Sequence, residues 1–164
     1  MNLKKANVAR ANTIRHINRQ IVLNYVREKE PISRAEISHE TALQRSTVSL
    51  IVEDDGDIRD SLTQILREEG YAVTGVANGQ EALDHLHRAG PSDLILLDLM
   101  MPVMDGWQFR IRQQEDPDLA AIPVVVLSAD GNVRRKAEAL GAQGALAKPF
   151  DLDSLLDAVT RLCS

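Results

Sequence analysis

Two kinds of apolar pattern alternate along the chain from about Val48 to its C-terminal end. Short runs of consecutive apolar residues predict buried strands, and longer stretches in which apolar residues recur every three or four positions predict amphipathic helices. The strands are expected at residues 48–53, 71–76, 93–98, 123–127 and 144–147. The helices are expected at residues 57–69, 79–89, 106–115, 131–140 and 151–162. This regular alternation is typical of an α/β fold with a parallel sheet.

Glycines mark the expected ends of three of these helices. Gly70, Gly90 and Gly141 each follow the last apolar position of a helical pattern. Glycine is expected there because it readily adopts the left-handed backbone that closes a helix. The third strand is almost wholly apolar, which predicts that helices cover it on both faces.

The first part of the chain has a different pattern. One apolar stripe predicts a helix that ends before Pro31, and its members are Ile14, Ile17, Ile21, Val22, Tyr25 and Val26. Ser33 and Glu36 have the spacing of a capping box and predict a second, short helix. Two helices alone bury too little surface to be stable, so they must pack on something else. We therefore predict a helical extension at residues 1–46 and a larger domain at residues 47–164.

Size and composition limit the class of protein. With 164 residues, 26% charged and 44% hydrophobic, the chain is suited to one ordinary domain and a small appendage. A single cysteine, Cys163, excludes a disulfide framework and favours a reducing, cytoplasmic setting. The sequence has no apolar stretch long enough to span a membrane and no signal-type segment, so we expect no membrane contact.

The net charge of −5 hides an asymmetry along the chain. Residues 1–50 contain nine basic and four acidic residues, a net charge of +5, so the remaining residues carry −10. A basic segment before an acidic domain indicates either a nucleic-acid contact or two segments of different origin.

Polar side chains stand at the ends of four predicted strands. Glu53 and Asp54 follow the first strand, Asp98 ends the third, and Ser128 and Lys148 follow the fourth and fifth. Ligands of open parallel sheets bind at the carboxyl ends of the strands, where these side chains should converge. Clustered carboxylates stay ionised if a cation neutralises them, and oxygen ligands suit Mg²⁺ or Mn²⁺ rather than zinc.

Such a site is suited to phosphoryl chemistry. The cation would let a carboxylate attack phosphorus by offsetting the charge that develops on the phosphoryl oxygens. Lys148 would pair with the phosphoryl group as a point charge, and Ser128 would donate a hydrogen bond to it. The sequence therefore predicts a phosphate-and-magnesium site.

Residues from about 48 to 163 resemble the response-regulator receiver domain of two-component phosphorelays. The motifs that carry this resemblance are Val52-Glu53-Asp54-Asp55 with Arg59, Asp98-Leu99-Met100-Met101-Pro102 with Asp105-Gly106, Ser128-Ala129, and Lys148-Pro149-Phe150. The resemblance covers more than two thirds of the chain. It implies a flavodoxin-like, doubly wound, five-stranded parallel sheet with strand order 2-1-3-4-5.

The resemblance also implies the roles of individual residues. Asp98 would accept a phosphoryl group from a phosphohistidine on a partner histidine kinase or phosphotransfer protein. Glu53, Asp54 and Asp98 would hold Mg²⁺ together with the backbone carbonyl of Met100. The protein would then be a signalling module that acts through protein–protein contacts, a type seldom classed as an enzyme.

One position departs from the family pattern. Receivers usually carry Tyr or Phe three residues before the lysine, and this chain has Ala145 there. The phosphorylation chemistry does not need that ring, but the aromatic part of the switch is absent. Trp107 and Phe150 are the candidate substitutes, although we expect both to be packing residues.

The N-terminal residues 6–51 resemble the start of the helix-turn-helix of ROK-type repressors. The motifs are Ala11-Asn12-Thr13-Ile14-Arg15, Pro31-Ile32-Ser33-Arg34-Ala35-Glu36-Ile37 and Thr41-Ala42-Leu43-Gln44-Arg45-Ser46-Thr47-Val48-Ser49. In that family the segment Ser46-Thr47-Val48-Ser49 opens the recognition helix. Here Thr47–Val52 would have to be both that helix and the first receiver strand, and its β-branched residues favour the strand.

Several functions for this extension stay open. Its helices are expected to form a homodimer or to pack on the receiver surface, and a frayed basic tail is the simplest alternative. A transcription regulator in which phosphorylation controls DNA binding is the second functional hypothesis.

A haloacid-dehalogenase-like phosphatase is disfavoured, because that class requires an Asp where this chain has Met100.

Overall fold

The computed structural model describes residues 48–163. Strands and helices alternate throughout this range. The strands are β1 (Val48–Val52), β2 (Ala72–Val76), β3 (Leu94–Asp98), β4 (Val124–Ser128) and β5 (Gly144–Ala147). The helices are α1 (Gly56–Glu68), α2 (Gly79–Ala89), α3 (Gly106–Glu115), α4 (Val133–Ala139) and α5 (Leu152–Leu162). Each predicted strand and helix of the larger domain is present, with ends that differ by at most two residues.

The five strands form one parallel sheet with the order β2-β1-β3-β4-β5. This is the flavodoxin-like topology that the sequence predicts. The chain moves from β1 outward to β2, then returns past β1 to β3, so the strand order reverses between β1 and β3. In folds of this kind the crevice at that reversal, beyond the carboxyl ends of the strands, is the usual ligand site.

Helices cover both faces of the sheet, and each face has its own hydrophobic core. Alternate residues of a strand point to opposite faces, so Leu50 and Val52 lie in one core and Ile51 in the other. The first core is closed by α2, α3 and α4, and the second by α1 and α5. All five residues of β3 and all five of β4 are buried, as expected for central strands covered on both faces.

The glycines predicted to end helices all have a positive φ. Gly70, Gly90 and Gly141 have φ values of +94°, +93° and +60°. At Gly90 the backbone N–H also donates to the carbonyl oxygen of Leu86, which satisfies one carbonyl at the end of α2.

The fourth helix begins two residues later than predicted. The carboxylate of Asp130 accepts a hydrogen bond from the backbone N–H of Asn132, at 3.0 Å. The same carboxylate accepts a bond of 2.7 Å from the ammonium of Lys136. This local turn at Asp130 competes with the first helical turn, which explains the later start.

The segment claimed by two predictions, Thr47–Val52, is a strand from Val48 onward. It pairs with β2 on one side and β3 on the other, so the prediction that the strand prevails over a recognition helix is confirmed. The predicted extension at residues 1–46, with its two helices and its resemblance to ROK-type repressors, lies outside the described residues. Within residues 48–163, every helix is too short or too polar to cross a lipid bilayer.

Candidate metal centre at the edge of the sheet

Three carboxylates meet at the carboxyl ends of β1 and β3. We call Glu53, Asp54 and Asp98 the acidic cluster, because one oxygen from each lies within 4.8 Å of the others. Val52 pairs with Leu97 across the two strands, so the residues that follow them in the chain, Glu53 and Asp98, lie side by side. Glu53 is 1% exposed and Asp98 is 5% exposed, whereas Asp54 is open to solvent.

The charge on Asp98 is disfavoured by its surroundings. Burial raises the pKa of its carboxyl from the ordinary 3.8 to about 6, and the neighbouring charge of Glu53 acts in the same direction. Lys148 and the backbone N–H of Met100 lower this pKa, but they do not compensate fully. A bound cation would stabilise the ionised form of Asp98. The donor set, three carboxylates and no sulfur or imidazole, fits Mg²⁺.

Lys148 lies beside two of these carboxylates. Its Nζ donates to Oε2 of Glu53 at 2.6 Å and lies 3.8 Å from Oδ1 of Asp98. The other oxygen of Glu53 accepts a bond of 3.2 Å from the backbone N–H of Asp55. Lys148 follows the last residue of β5. The backbone N–H of Lys148 donates to the carbonyl oxygen of Ser128 at 2.8 Å, and this bond holds Lys148 beside the carboxylates.

Ser128 is the buried last residue of β4, on the strand next to Asp98. Its Oγ accepts a hydrogen bond of 3.2 Å from the backbone N–H of Asp130. This bond uses a lone pair of the oxygen, so the hydroxyl hydrogen can still be donated to a ligand. The structure therefore places the alcohol and the amine that the sequence predicts at the same sheet edge as the acids.

The loop after β3 is held close to Asp98 by backbone contacts. The N–H of Met100 donates to Oδ1 of Asp98 at 3.3 Å. At the far end of the loop, the N–H of Gly106 donates to the carbonyl oxygen of Leu99 at 3.1 Å. A Cβ on Gly106 would lie 2.5 Å from the carbonyl oxygen of Asp98, so only glycine fits. The Asp105-Gly106 motif thus has a steric cause, and Asp105 adds a complete capping box at the start of α3.

Two residues beside this site have contacts that the sequence pattern did not predict. Oδ1 of Asp55 accepts hydrogen bonds from the N–H groups of Asp57 and Ile58 and caps α1. An Asp just before a helical pattern is the signal that could have found this cap. The second residue is Arg59, whose Nη1 donates to the carbonyl oxygen of Glu53 at 2.7 Å.

The aromatic position of the family pattern is occupied by Ala145, on β5. Ala145 and Trp107 pack against the first core, and Phe150 packs against the second. The expectation that both aromatic residues are packing residues agrees with these contacts. A cleft of about 420 Å³ opens beside Ala145, and its other lining residues are Arg134, Leu146, Ser154, Asp157, Ala158 and Arg161.

The chain is similar to known proteins over the part that contains this site. The sequence model of the family described as response regulator receiver domain matches residues 49–160. Sporulation initiation phosphotransferase F of Bacillus subtilis (strain 168) is 38% identical over 114 residues, which cover 68% of this chain and 90% of that protein. Transcriptional regulatory protein PcoR of Escherichia coli is 41% identical over 115 residues, which cover 69% of this chain but 50% of that protein. This chain therefore spans about half the length of that second relative.

A solved structure has the same fold as this chain. The receiver domain of sensor histidine kinase PA1611 from Pseudomonas aeruginosa PAO1 aligns with a TM-score of 0.66 and 30% sequence identity. The alignment covers 73% of this chain and 98% of that domain. In that crystal structure a magnesium ion is coordinated in the active-site cleft.

Proposed function

We propose that Asp98 is the phosphoacceptor of this chain. The chain belongs to the family of response regulator receiver domains. Receiver domains are phosphorylated on an aspartate by histidine kinases or through phosphotransfer proteins, and this is the general function of the family. The observation that carries the assignment to Asp98 is its position: it is a buried carboxylate beside Glu53, Asp54 and Lys148 at the sheet edge.

The proposed reaction is a transfer between two protein side chains. A carboxylate oxygen of Asp98 attacks the phosphorus of a phosphohistidine, and a new O–P bond forms. The N–P bond of the phosphohistidine breaks, and its electron pair returns to the imidazole nitrogen. Lys148 pairs with a phosphoryl oxygen and Ser128 donates a hydrogen bond to another, so both favour the phosphorylated state.

The acidic cluster is the proposed metal site. Glu53, Asp54 and Asp98 would hold Mg²⁺ with the backbone carbonyl of Met100, and Mn²⁺ has the same preference for oxygen. When bound, the metal neutralises the charge that develops on the transferred phosphoryl group. Support comes from the oxygen-only donor set and from the magnesium ion in the cleft of the PA1611 receiver domain.

The alternative of a phosphorylation-controlled DNA-binding regulator depends on residues 1–46. Those residues lie outside the described range, and no contact among residues 48–163 favours DNA as a partner. The partner that the described site supports is a histidine kinase or phosphotransfer protein.

The test is chemical phosphorylation of the full chain with acetyl phosphate, followed by intact-mass spectrometry. We expect one acid-labile phosphate in the presence of Mg²⁺, a strong decrease in EDTA, and no phosphate on the Asp98→Asn variant. Asp84→Asn, which changes an exposed carboxylate on α2, is the matched control and should be labelled like the wild type. Labelling of Asp98→Asn at the wild-type rate would show that another residue is the phosphoacceptor.

A further inference from the structure

We propose that Arg59 is a positioning residue for the magnesium site, which it serves through the backbone carbonyls of Glu53 and Asp54. This inference rests on the proposed function, because it concerns the residues proposed to hold the metal. Arg59 belongs to the first motif of the family resemblance, and no step of the proposed phosphoryl transfer involves it.

The contacts of Arg59 go to the backbone of two proposed ligands. Its Nη1 donates to the carbonyl oxygen of Glu53 at 2.7 Å and to that of Asp54 at 3.3 Å. Its own backbone N–H donates to the carbonyl oxygen of Asp55 at 2.9 Å. Arg59 therefore holds the whole turn between β1 and α1, and hydrogen bonds from a charged donor are stronger than neutral ones.

This backbone contact matters most for Asp54. Glu53 is buried, and its carboxylate is held by Lys148 and by the N–H of Asp55. The side chain of Asp54 is exposed, so close packing does not hold it. The direction of its Cα–Cβ bond depends on the backbone at Glu53 and Asp54, which Arg59 clamps through both carbonyls.

A glycine on β2 leaves room for the side chain of Arg59. The stem of Arg59 crosses β2 at Gly75, where a Cβ would lie 2.8 Å from Cγ and 3.1 Å from Cδ of the arginine. Glycine weakens a strand interior and often marks a close approach of another group. Gly75 is therefore explained by the passage of this side chain, which is half-buried against the strand.

Two effects of Arg59 on metal binding oppose each other. Its positive charge near the cluster disfavours a cation, while its hold on the ligand backbone favours one. Because its hydrogen bonds end on carbonyl oxygens, they leave the carboxylate oxygens available to the metal. Loss of an outer partner of a metal ligand typically weakens metal affinity 10–100-fold, so we expect the positioning effect to prevail.

The experiment is calorimetric titration of the full chain with Mg²⁺. We expect Arg59→Gln to bind Mg²⁺ about tenfold more weakly than the wild type. The matched control is Arg67→Gln, on the same helix, because Nη2 of Arg67 also donates to a backbone carbonyl, that of Val73, at 2.8 Å. Both variants lose one positive charge and the guanidinium hydrogen bonds to backbone carbonyls, but only Arg59 contacts the proposed metal ligands, so Arg67→Gln should bind Mg²⁺ like the wild type.

A second variant separates position from charge. Gly75→Ala keeps every charge and places a Cβ where the stem of Arg59 now passes. It should weaken Mg²⁺ binding in the wild-type background and have no further effect in Arg59→Gln. Equal weakening in both backgrounds would show that Gly75 acts independently of Arg59 and would overturn the inference.

The remaining outcomes distinguish this inference from the proposed function. If the wild type binds Mg²⁺ and Arg59→Gln binds it equally well or more tightly, Arg59 does not position the site and the inference alone is wrong. A wild-type chain that binds no Mg²⁺ would overturn the proposed metal site and this inference with it. Far-ultraviolet circular dichroism of each variant shows whether it is folded, and Arg59→Lys, which retains one donor, should recover part of the affinity.

Discussion

At Asp98, burial and the charge of Glu53 act on the same carboxyl and raise its pKa to about 6. In the unfolded chain this carboxyl has its ordinary pKa near 3.8. Between about pH 4 and pH 6 the folded chain therefore binds a proton that the unfolded chain does not. The metal-free fold loses stability as the pH rises through this interval, and the loss is complete above the folded pKa.

This sign predicts that Asp98→Asn stabilises the metal-free protein at neutral pH. The amide cannot ionise, so the variant avoids a buried charge beside Glu53. We expect the free energy of unfolding at pH 7.5 to rise by about 1–3 kcal/mol, and to change little at pH 4. Urea denaturation in EDTA at the two pH values measures this difference. A variant that is less stable than the wild type at pH 7.5 would contradict the proposed repulsion.

The helix α3 makes contacts at its start and at its middle that join distant parts of the fold. Its first residue, Gly106, is packed against the backbone of Asp98. In the middle of the helix, Arg110 is 3% exposed, and burial lowers the pKa of its guanidinium. Its Nε and Nη2 donate to the carbonyl oxygens of Leu140 and Gly141, at 3.0 and 2.8 Å. The helix thus links the loop after Asp98 to the end of α4.

The buried arginine has a partner on its own helix. Nη1 of Arg110 donates to Oε1 of Gln113 at 2.7 Å. The amide nitrogen of Gln113 then donates to the carbonyl oxygens of Leu119 and Ile122, at 3.0 and 3.1 Å. This network satisfies carbonyl groups of two connecting segments, so it ties the loop before β4 and the end of α4 to one helix.

We predict that Arg110→Met destabilises the domain by about 2–4 kcal/mol, because it leaves buried carbonyl and amide groups without donors. Arg112→Met, an exposed position on the same helix, is the matched control and should change stability by less than about 1 kcal/mol. Chemical denaturation of both variants tests this. Similar stabilities would mean that water replaces the lost bonds and that the network is not essential.

For the whole molecule, metal binding and folding should be linked, because the acidic cluster is assembled only when β1 and β3 pair. A ligand that binds the folded chain alone stabilises it according to its concentration relative to its dissociation constant. We predict that Mg²⁺ at ten times that constant adds about 1.4 kcal/mol to the free energy of unfolding.

Thermal unfolding with increasing Mg²⁺ tests this linkage, with NaCl at matched ionic strength as the control for screening. Above the dissociation constant, Tm should keep rising with the logarithm of the Mg²⁺ concentration, and the rise should be smaller for Asp98→Asn, which loses a ligand. Equal shifts with the two salts would indicate screening of the acidic surface instead of binding at the cluster.

At this scale the N-terminal extension at residues 1–46 keeps the status of a prediction. Its apolar stripe predicts helices that need a partner surface, such as a second copy of the chain. Its DNA-binding role rests on the basic charge and on the resemblance to ROK-type repressors. The family match begins at residue 49, so the larger domain accounts for the similarity to receivers without it.

The local sequence pattern was sufficient to predict the strands and helices of the larger domain. Residues 93–98 and 106–115 were predicted as a strand and a helix, and they form β3 (Leu94–Asp98) and α3 (Gly106–Glu115). Apolar runs, helical spacing and terminal glycines are all short-range signals, and they agree with one another here. The convergence of Glu53, Asp54 and Asp98 could also be predicted, because parallel strands place their carboxyl ends at a common edge.

Tertiary structure alone decided which atoms the side chains and the backbone contact. The bond between Lys148 and Glu53, the clamp of Arg59 on two carbonyls and the buried network of Arg110 join residues from different elements or depend on the exact course of a loop. Val103 has φ of +69°, which its β-branched side chain disfavours, in a turn where the N–H of Met104 donates to the carbonyl oxygen of Pro102 at 2.8 Å. The spacing of apolar residues along the sequence predicts which face of a helix or strand a residue occupies. The atom that each side chain then contacts, and the shift in its pKa, depend on distances that arise when distant segments pack together.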